Sequence, residues 1–372
     1  MLRWSIALFR VFGIRLEVHA TFVVLLAYAG WLGARDDGWH GLVWSVAFVV
    51  LMFGVVVLHE LGHCLAARRY GIRTNRILLL PVGGMAEFDA LPRQPRRELV
   101  IALAGPAVNY LLIAVIFLSF GWPSSLAEIA PPSNLGEIPA ALLGVNLVMG
   151  IFNLLPAFPM DGGRVLRSLL AMRFDYLVAT RWAARSGQVI ALSIATWAAY
   201  ASYFGGDNLW LLAGLFLFIA YGAETEYRFV RDREFYAGLI VANVTRSDFL
   251  GFPPESTVAA AFEALRRTVP QDLLLIGAAG PVGVVPRARI AAALRAGREQ
   301  EPLSAHAEHE FAVLQAEWTL GPVVTGLRRS RQRLYPVYSF DRLIGVCDIA
   351  RIDEAVRLIR HSAPRRLGRT AH

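Results

Sequence analysis

Two histidines and a glutamate form the motif of this sequence with the clearest chemical meaning. His59 and His63 are four residues apart, and Glu60 directly follows the first histidine. On an α-helix, residues at this spacing lie on one face, one turn apart. The pattern H-E-x-x-H is typical of zinc enzymes in which the two imidazoles bind the metal and the glutamate acts as general base. The motif therefore predicts zinc as cofactor, with His59 and His63 as ligands and Glu60 as catalytic base.

The surroundings of the motif favour this interpretation. It lies at the end of an apolar run, 42–58, that is long enough to reach membrane depth. An ionisable side chain at that depth costs about 2.5–3.5 kcal/mol on insertion scales, so a functional role is the default hypothesis. The alternative is a helix end at which His and Glu side chains meet the lipid headgroups.

A third metal ligand is predicted further along the chain, where residues 153–163 read NLLPAFPMDGG. The two prolines break a helix, and Asp161 follows them. Because the chain would cross the membrane twice after His63, Asp161 returns to the depth of the histidines. A carboxylate is a suitable third zinc ligand and leaves the fourth position to water. A D-G turn is the alternative role for Asp161. The rival acids are Glu87, Asp89 and Asp175.

The composition is too apolar for a soluble globular protein. Of the 372 residues, 56% are hydrophobic and 18% charged, and the mean hydropathy is +0.47. These values indicate a membrane protein. We therefore expect an α-helical polytopic membrane protein with about six transmembrane helices, although several of the apolar segments are shorter than a full span. The segments are 20–32, 42–65, 99–120, 140–158, 189–204 and 209–223.

The basic residues are all arginines, and their distribution predicts the topology. The net charge is +8. The arginines cluster before the first apolar segment and after the second, fourth and sixth. The positive-inside rule then places both termini in the cytoplasm, and membrane insertion explains the charge better than nucleic-acid binding does. We expect membrane lipid, and no nucleic acid, among the partners.

Two segments outside the predicted spans have their own patterns. Residues 1–13 combine arginines with a short apolar run and lack a cleavage site, so we expect an interfacial helix rather than a signal peptide. In residues 72–89, apolar and polar side chains alternate as in two strands, and the pattern is interrupted by Pro81, Gly83 and Gly84. A hairpin that returns toward the membrane beside the metal and an ordinary cytoplasmic hairpin both fit this pattern.

The composition changes after residue 223. Residues 224–243 are charged and resemble a linker, whereas residues 244–360 have the proportions of apolar and polar residues that are typical of a soluble domain. Within it, 254–294 predict the order helix, strand, strand, helix, and 310–359 repeat a related order. The tail is basic, and we expect it to be disordered. The predicted division is a membrane domain 1–223, a linker 224–243, an α/β domain 244–360 and a tail 361–372.

Taken together, these motifs resemble the site-2 protease family, which consists of intramembrane zinc metalloproteases. The resemblance implies hydrolysis of membrane-anchored regulatory proteins, as in regulated intramembrane proteolysis. It also implies that Asn153 stabilises the developing oxyanion, whereas its alternative role is hydrogen bonding to backbone freed by Pro156. The motifs that carry the resemblance are His59-Glu60-x-x-His63, Gly83-Gly84 and Asn153-x-x-Pro156-x-x-Pro159-x-Asp161-Gly162.

The resemblance has further implications for substrate and location. Substrate must present unwound backbone, and the hairpin edge at Gly83 and Gly84 would bind it as an added strand. We expect a multi-pass protein of a prokaryotic plasma membrane. The alternative function is a catalytically inactive membrane sensor or scaffold of the same fold. A transporter with a cytoplasmic regulator is a weaker hypothesis, because H-E-x-x-H with a depth-matched Asp is a protease arrangement.

The C-terminal half resembles a pair of CBS modules, which implies a cytoplasmic domain for regulation, docking or dimerisation. Nucleotide-binding modules usually carry a hydroxyl residue three positions after a strand-ending glycine and an aspartate three positions later. Both of these acids are absent here, which argues against adenine nucleotide binding and favours a homodimerisation or substrate-docking module. Arginines could still pair with phosphates. Gly283 is followed by Pro286 and Arg289, and Gly345 by Asp348 and Arg351.

Overall fold

The computed structural model describes residues 4–81, 83–89, 94–123, 132–206, 208–266, 272–327, 330 and 332–362. The chain forms two compact units, Met1–Val230 and Arg231–His372.

The N-terminal unit contains a four-stranded sheet. Its strands, in spatial order, are β1 (Ser5–Val11), β2 (Ile14–His19), β3 (Thr74–Leu80) and β4 (Gly83–Phe88). β1–β2 and β3–β4 are antiparallel hairpins, and β2 and β3 pair in parallel. The strand pair predicted within residues 72–89 is therefore confirmed, and β4 forms an outer edge of the sheet.

Residues 1–13 include a strand, and the interfacial helix expected there is wrong. β1 turns into β2 through Phe12 and Gly13, which have positive φ angles of 51° and 86°. Two consecutive residues with positive φ form the tight turn whose twist suits a hairpin. The turn was hard to foresee, because a bulky residue such as Phe rarely adopts positive φ.

Helix α1 (Thr21–Arg69) is a helical hairpin rather than a straight rod. Asp37 and Gly38 have non-helical dihedral angles and divide it into two arms. Gly33 and Gly41 face each other so closely that a Cβ on either would lie 2.1–2.2 Å from the carbonyl oxygen of the other. Further from the bend, the rings of Phe22 and Phe53 pack with centroids 4.6 Å apart. The first two predicted apolar segments are thus two helical arms that pack against each other.

Within the described residues, five more α-helices begin in the N-terminal unit. They are α2 (Pro95–Phe120), α3 (Ile138–Leu154), α4 (Asp161–Ala171), α5 (Tyr176–Phe204) and α6 (Trp210–Ala237). Over the described ranges, three helical segments are long and apolar enough to cross a bilayer: α1, α2 and Leu135–Leu154. The last two predicted apolar segments lie in α5 and α6, which do not meet the same criterion. The structure therefore supports a helical membrane protein with three candidate spans.

Two boundaries differ from those expected. α3 ends at Leu154, before the predicted limit of 158, because Pro156 cannot continue the helix. α6 continues to Ala237 through residues expected to belong to a linker. An Arg228–Glu224 ion pair of 2.7 Å, one turn apart, stabilises this extension. The proposed domain limits themselves stay a prediction.

The C-terminal unit contains the predicted duplication. The first half consists of β5 (Gly251–Phe252), α7 (Val258–Arg266), β6 (Leu273–Gly277), β7 (Gly280–Val285) and α8 (Arg287–Arg295). The second consists of β8 (Leu314–Gln315), α9 (Leu320–Leu327), β9 (Leu334–Ser339), β10 (Arg342–Asp348) and α10 (Ile349–Ser362). Each half has a short strand parallel to the first strand of an antiparallel hairpin. The order strand, helix, strand, strand, helix thus occurs twice.

Candidate metal centre

His59, His63 and Asp161 meet in the interior of the N-terminal unit. The Nε2 atoms of the two histidines are 3.2 Å apart, and each lies 3.1 Å from Oδ2 of Asp161. The three residues are 2%, 5% and 8% exposed. In the part of the chain that the structure describes, this is the group of His, Cys, Asp and Glu side chains arranged to hold a metal ion.

Two helices position these side chains. His59 and His63 lie on the second arm of α1, one turn apart, and Asp161 is the first residue of α4. Pro156 and Pro159 prevent α3 from continuing into α4. An acidic residue in the first turn of a helix is favoured by the helix dipole. The structure therefore places the carboxylate of Asp161 at the depth of the histidines.

The three rival acids are engaged elsewhere. Glu87 accepts a 2.6 Å hydrogen bond from Nε of Arg76. Asp89 accepts a hydrogen bond of 2.5 Å from Asn75. Asp175 caps the start of α5 by accepting from the backbone N–H of Leu177 at 2.9 Å. Within the described residues, none of the three belongs to the group formed by the histidines and Asp161.

The hydrogen bonds around the histidines suit a cation at their centre. Nδ1 of His59 donates to Oδ1 of Asn109 at 2.5 Å, and Nδ1 of His63 donates to the carbonyl oxygen of Ile101 at 2.7 Å. Both Nε2 atoms of the neutral imidazoles then carry lone pairs directed toward the Asp161 carboxylate. Three acceptors this close repel one another unless a cation lies between them. Ligands about 2.0–2.1 Å from a tetrahedral zinc ion lie roughly 3.3–3.4 Å apart, close to the observed separations.

The placement of Asp161 fits the same role. The residue is 8% exposed and directs Oδ2 at the Nε2 atoms of both histidines, 3.1 Å from each. Metal binding requires an ionised carboxylate and neutral imidazoles, and the Nδ1 hydrogen bonds of the two histidines suit the neutral rings.

Asn109 is a site residue that sequence reasoning missed. It lies on α2, is 0% exposed, and its Nδ2 donates to Oδ1 of Asn146 on α3 at 3.0 Å. Asn146 in turn donates to the carbonyl oxygen of Leu142 at 2.8 Å. These hydrogen bonds fix the orientation of the Asn109 amide and hence the tautomer of His59. The sequence offered one signal for this role, namely the amide side chains of Asn109 and Asn146 within apolar segments. Buried polar groups require hydrogen-bond partners, so two such amides are expected to pair.

A glycine lets α2 approach the imidazoles closely. A Cβ at position 105 would lie 2.2 Å from Nε2 of His63 and 2.7 Å from Nε2 of His59. Contacts shorter than about 3.0 Å to a Cβ do not occur in practice. Any side chain at Gly105 would therefore displace the ligand atoms.

Glu60 lies beside the outer strand of the sheet. A Cβ at Gly84 would lie 2.7 Å from Cγ of Glu60, so β4 passes directly along the glutamate side chain. Of the two hairpin interpretations, the structure favours the one in which β4 lies beside the metal centre. Gly83 has a φ of +134° and no atom within 4 Å of the position a Cβ would take. Asn153 is half-buried at the end of α3, and within the described residues its side chain forms no hydrogen bond.

A second buried polar cluster supports α4. Arg167, 1% exposed, lies two turns after Asp161, and its Nε donates to Oε1 of Glu98 on α2 at 2.9 Å. Its Nη1 donates to Glu226 on α6 at 3.1 Å, and its guanidinium lies 4.9 Å from the ring centroid of Phe158. Arg167 therefore connects α4, the helix that carries Asp161, to α2 and α6 by hydrogen bonds.

Comparisons with known proteins agree with this site. Residues 47–128 and 124–195 match the sequence profile of Peptidase family M50. Zinc metalloprotease MJ0392 of Methanocaldococcus jannaschii is 34% identical over 259 residues, which cover 69% of this chain and 70% of that protein. The chain belongs to peptidase family M50. It is a zinc metalloprotease of the site-2 protease type, and the predicted family and zinc cofactor are confirmed.

Two solved structures each cover part of this M50 peptidase. The site-2 protease from Methanocaldococcus jannaschii is 36% identical and covers 60% of this chain and 96% of its own, with a TM-score of 0.44. The CBS-domain containing protein ATU1752 from Agrobacterium tumefaciens covers 31% of this chain and 92% of its own, with 19% identity and a TM-score of 0.29.

Replacement of Asn109 by leucine should weaken zinc retention in this M50 peptidase. Leucine has a similar size but cannot accept the His59 Nδ1–H hydrogen bond, so the imidazole loses its fixed tautomer and orientation. We expect a loss of about 10–100-fold in zinc affinity, measured by competition with a chelator. Asn146→Leu should cause a smaller loss, because it removes only the bond that orients Asn109. Unchanged affinity in Asn109→Leu would contradict this role.

Proposed function

We propose that this M50 peptidase hydrolyses peptide bonds of membrane-anchored regulatory proteins within the bilayer. The observation that carries the proposal is the convergence of His59, His63 and Asp161, next to Glu60, at the end of a helix long and apolar enough to span a membrane. A sensor or scaffold without catalysis would have no need of a general base at position 60.

We assign the zinc ligands to His59, His63 and Asp161. When bound there, zinc polarises the scissile carbonyl and lowers the pKa of water to about 7. The protein's part is to hold both imidazoles in the tautomer that directs Nε2 inward, through Asn109 and the carbonyl oxygen of Ile101.

Glu60 is the proposed general base. Its carboxylate takes the proton from the attacking water and passes it to the leaving amine. The side chain suits this role, because it follows a ligand directly on α1 and points toward the strand edge at Gly84.

We propose that Asn153 donates to the oxyanion that develops at the scissile carbonyl. Its amide is available for this role, since it forms no hydrogen bond within the described residues. In the alternative role, Asn153 would bind the carbonyl oxygen of Phe152, which Pro156 leaves without its helical N–H partner. That oxygen accepts from the backbone N–H of Leu155 at 3.2 Å instead.

The outer edge of β4 is the proposed substrate-binding site, with Gly83 and Gly84 at its start. A substrate segment that pairs with this edge would be held extended, with its backbone beside Glu60. An extended segment exposes the peptide group that helical hydrogen bonds otherwise shield. Glycine at position 84 supports the proposal, because any larger residue would push Glu60 away from the strand.

We further propose about six membrane crossings, with both termini in the cytoplasm of a prokaryotic cell. The two arms of α1, α2 and α3 would account for four crossings and α5 and α6 for the remaining two. The arginine clusters between alternate apolar segments support this topology. The substrate would then be a protein anchored in the plasma membrane.

A comparison of cell membranes tests the proposed activity. Cells with the wild-type peptidase should contain a shortened membrane-anchored protein whose full-length form accumulates with Glu60→Gln. Identical membrane proteomes from the two strains would instead favour the non-catalytic scaffold.

For the C-terminal unit we propose a CBS-type module for homodimerisation or substrate docking without a nucleotide. Arg289 supports this proposal, because its guanidinium already has hydrogen-bond partners within the C-terminal unit. Its Nη2 donates to Glu308 at 2.9 Å, and its Nη1 donates to the carbonyl oxygens of His306 and Ala307 at 3.3 Å. Pro286 directly precedes α8 and offers no hydroxyl.

ATP should not change the melting temperature of the C-terminal unit within the full chain. Binding at a hundred times the dissociation constant would add about 2.7 kcal/mol of stability, which a melting curve detects. We expect millimolar ATP to leave the melting temperature of the C-terminal unit unchanged, and the isolated unit 231–372 to self-associate in sedimentation experiments. A clear increase in melting temperature with ATP would restore the nucleotide-sensor hypothesis.

A further inference from the structure

A cavity of about 650 Å³ lies where the second arm of α1 ends. It is lined by the end of that helix, the turn between β1 and β2, and the residues that lead into β3. Its volume falls within the roughly 300–1,000 Å³ of small-molecule sites. Four arginines from these three segments line it: Arg10, Arg15, Arg68 and Arg73.

The positive charge of this cavity has little compensation among the described residues. No Asp or Glu is among those that line it. Nε of Arg15 lies 4.0 Å from Glu17, at the limit of an ion pair. Over the described ranges, the other three arginines form no ion pair. Four guanidinium groups around one cavity repel one another, and an anion that accepts several hydrogen bonds would relieve this repulsion.

Apolar side chains beside the arginines indicate which anion the cavity takes. Leu65 and Phe12, 43% and 64% exposed, line the cavity together with the arginines. Trp4, Ile6 and Leu8 on and next to β1 are also more than half exposed. Because α1 is a candidate span that ends at Arg69, this rim lies where hydrocarbon gives way to headgroups. A soluble anion would gain nothing from such a rim.

We propose that this cavity binds the phosphate group of an anionic phospholipid, with the acyl chains along Leu65 and the apolar face of β1. The arginines pair with the phosphate oxygens. The bound headgroup bridges α1 to the β1–β2 turn and to the start of β3. It therefore holds the sheet, including the β4 edge, against the helix that carries His59 and His63.

Binding of defined short-chain lipids to the full-length, delipidated protein in detergent tests the proposal. Native mass spectrometry should detect one dioctanoyl phosphatidylglycerol bound at least about tenfold more tightly than dioctanoyl phosphatidylcholine. The double variant Arg68→Gln/Arg73→Gln should lose this preference. The matched control Arg69→Gln/Arg96→Gln removes the same charge from exposed positions outside the cavity and should retain it.

Three results would overturn the proposal. They are equal binding of the two lipids, an equal loss in both double variants, and displacement of phosphatidylglycerol by inorganic phosphate at the same concentration. The last result would identify a site for free phosphate, and the second would indicate general charge attraction. Zinc content and melting temperature verify folding. If Arg68→Gln/Arg73→Gln loses zinc, Arg10→Gln/Arg15→Gln on the sheet side provides the same comparison.

Discussion

Glu60→Gln is expected to slow proteolysis sharply while zinc remains bound and the chain remains folded. Glutamine preserves the size of the side chain and its packing against Gly84, but it cannot accept the proton of the attacking water. General-base catalysis contributes about 10²–10⁴-fold to a rate, so turnover should fall by that factor. The measurement is the initial rate of cleavage of a membrane-anchored substrate by purified protein, together with zinc content and melting temperature.

Glu87→Gln is the matched control for this substitution. Glu87 lies on β4, close in sequence to Gly84, but its side chain is 51% exposed and pairs with Arg76. We expect its cleavage rate to stay within about threefold of wild type, since surface substitutions usually change little. Turnover by Glu60→Gln close to that of wild type would refute the proposed base.

Asp161→Ala is expected to remove zinc from the protein. Wild type should retain about one zinc ion per chain, as a catalytic site with three protein ligands does. Without the carboxylate, two imidazoles remain at a site built for three ligands. The loss of zinc affinity should therefore exceed the 10–100-fold that is typical when a residue that hydrogen-bonds to a ligand is replaced. Elemental analysis after dialysis against a chelator measures the retained zinc, and His63→Ala should behave in the same way.

Asp175→Ala separates this effect from a general loss of stability. Asp175 caps α5, and its removal should cost about 1 kcal/mol of stability but no zinc. Full zinc occupancy in Asp161→Ala would mean that another acid binds the ion. Glu87, Asp89 and Asp175 would then be the candidates to replace next.

Sequence spacing predicted the parts of the site that obey simple geometric rules. Helical periodicity placed His59 and His63 on one face. The alternation of apolar segments brought Asp161 to the same membrane depth. Both arguments need only the type of secondary structure and the direction in which the chain runs. They therefore hold even when the predicted limits of a helix are wrong by several residues.

The supporting residues escaped sequence reasoning, because their roles depend on packing between distant segments. Asn109 acts through a bond to His59 on another helix, and its own orientation depends on Asn146 on a third. The close approach of Gly105 to both imidazoles likewise has no local signature. Nothing in an apolar run distinguishes a glycine that packs against lipid from one that packs against a ligand.

Turn conformation explains the remaining errors in the fold. The β1–β2 hairpin turns at Phe12 and Gly13 in a conformation that Phe seldom adopts. In the C-terminal unit, by contrast, a short continuous apolar run marked the strand Leu273–Gly277 at its observed limits.

The sequence separation within the metal centre affects how the protein is made. Asp161 follows His63 by 98 residues. At synthesis rates of about 5–20 residues per second, the ribosome needs roughly 5–20 s to cover that interval. During this time the growing chain has both imidazoles and Glu60 but lacks the carboxylate, one of the three proposed zinc ligands. We therefore expect the metal site to assemble only after residue 161 has left the ribosome.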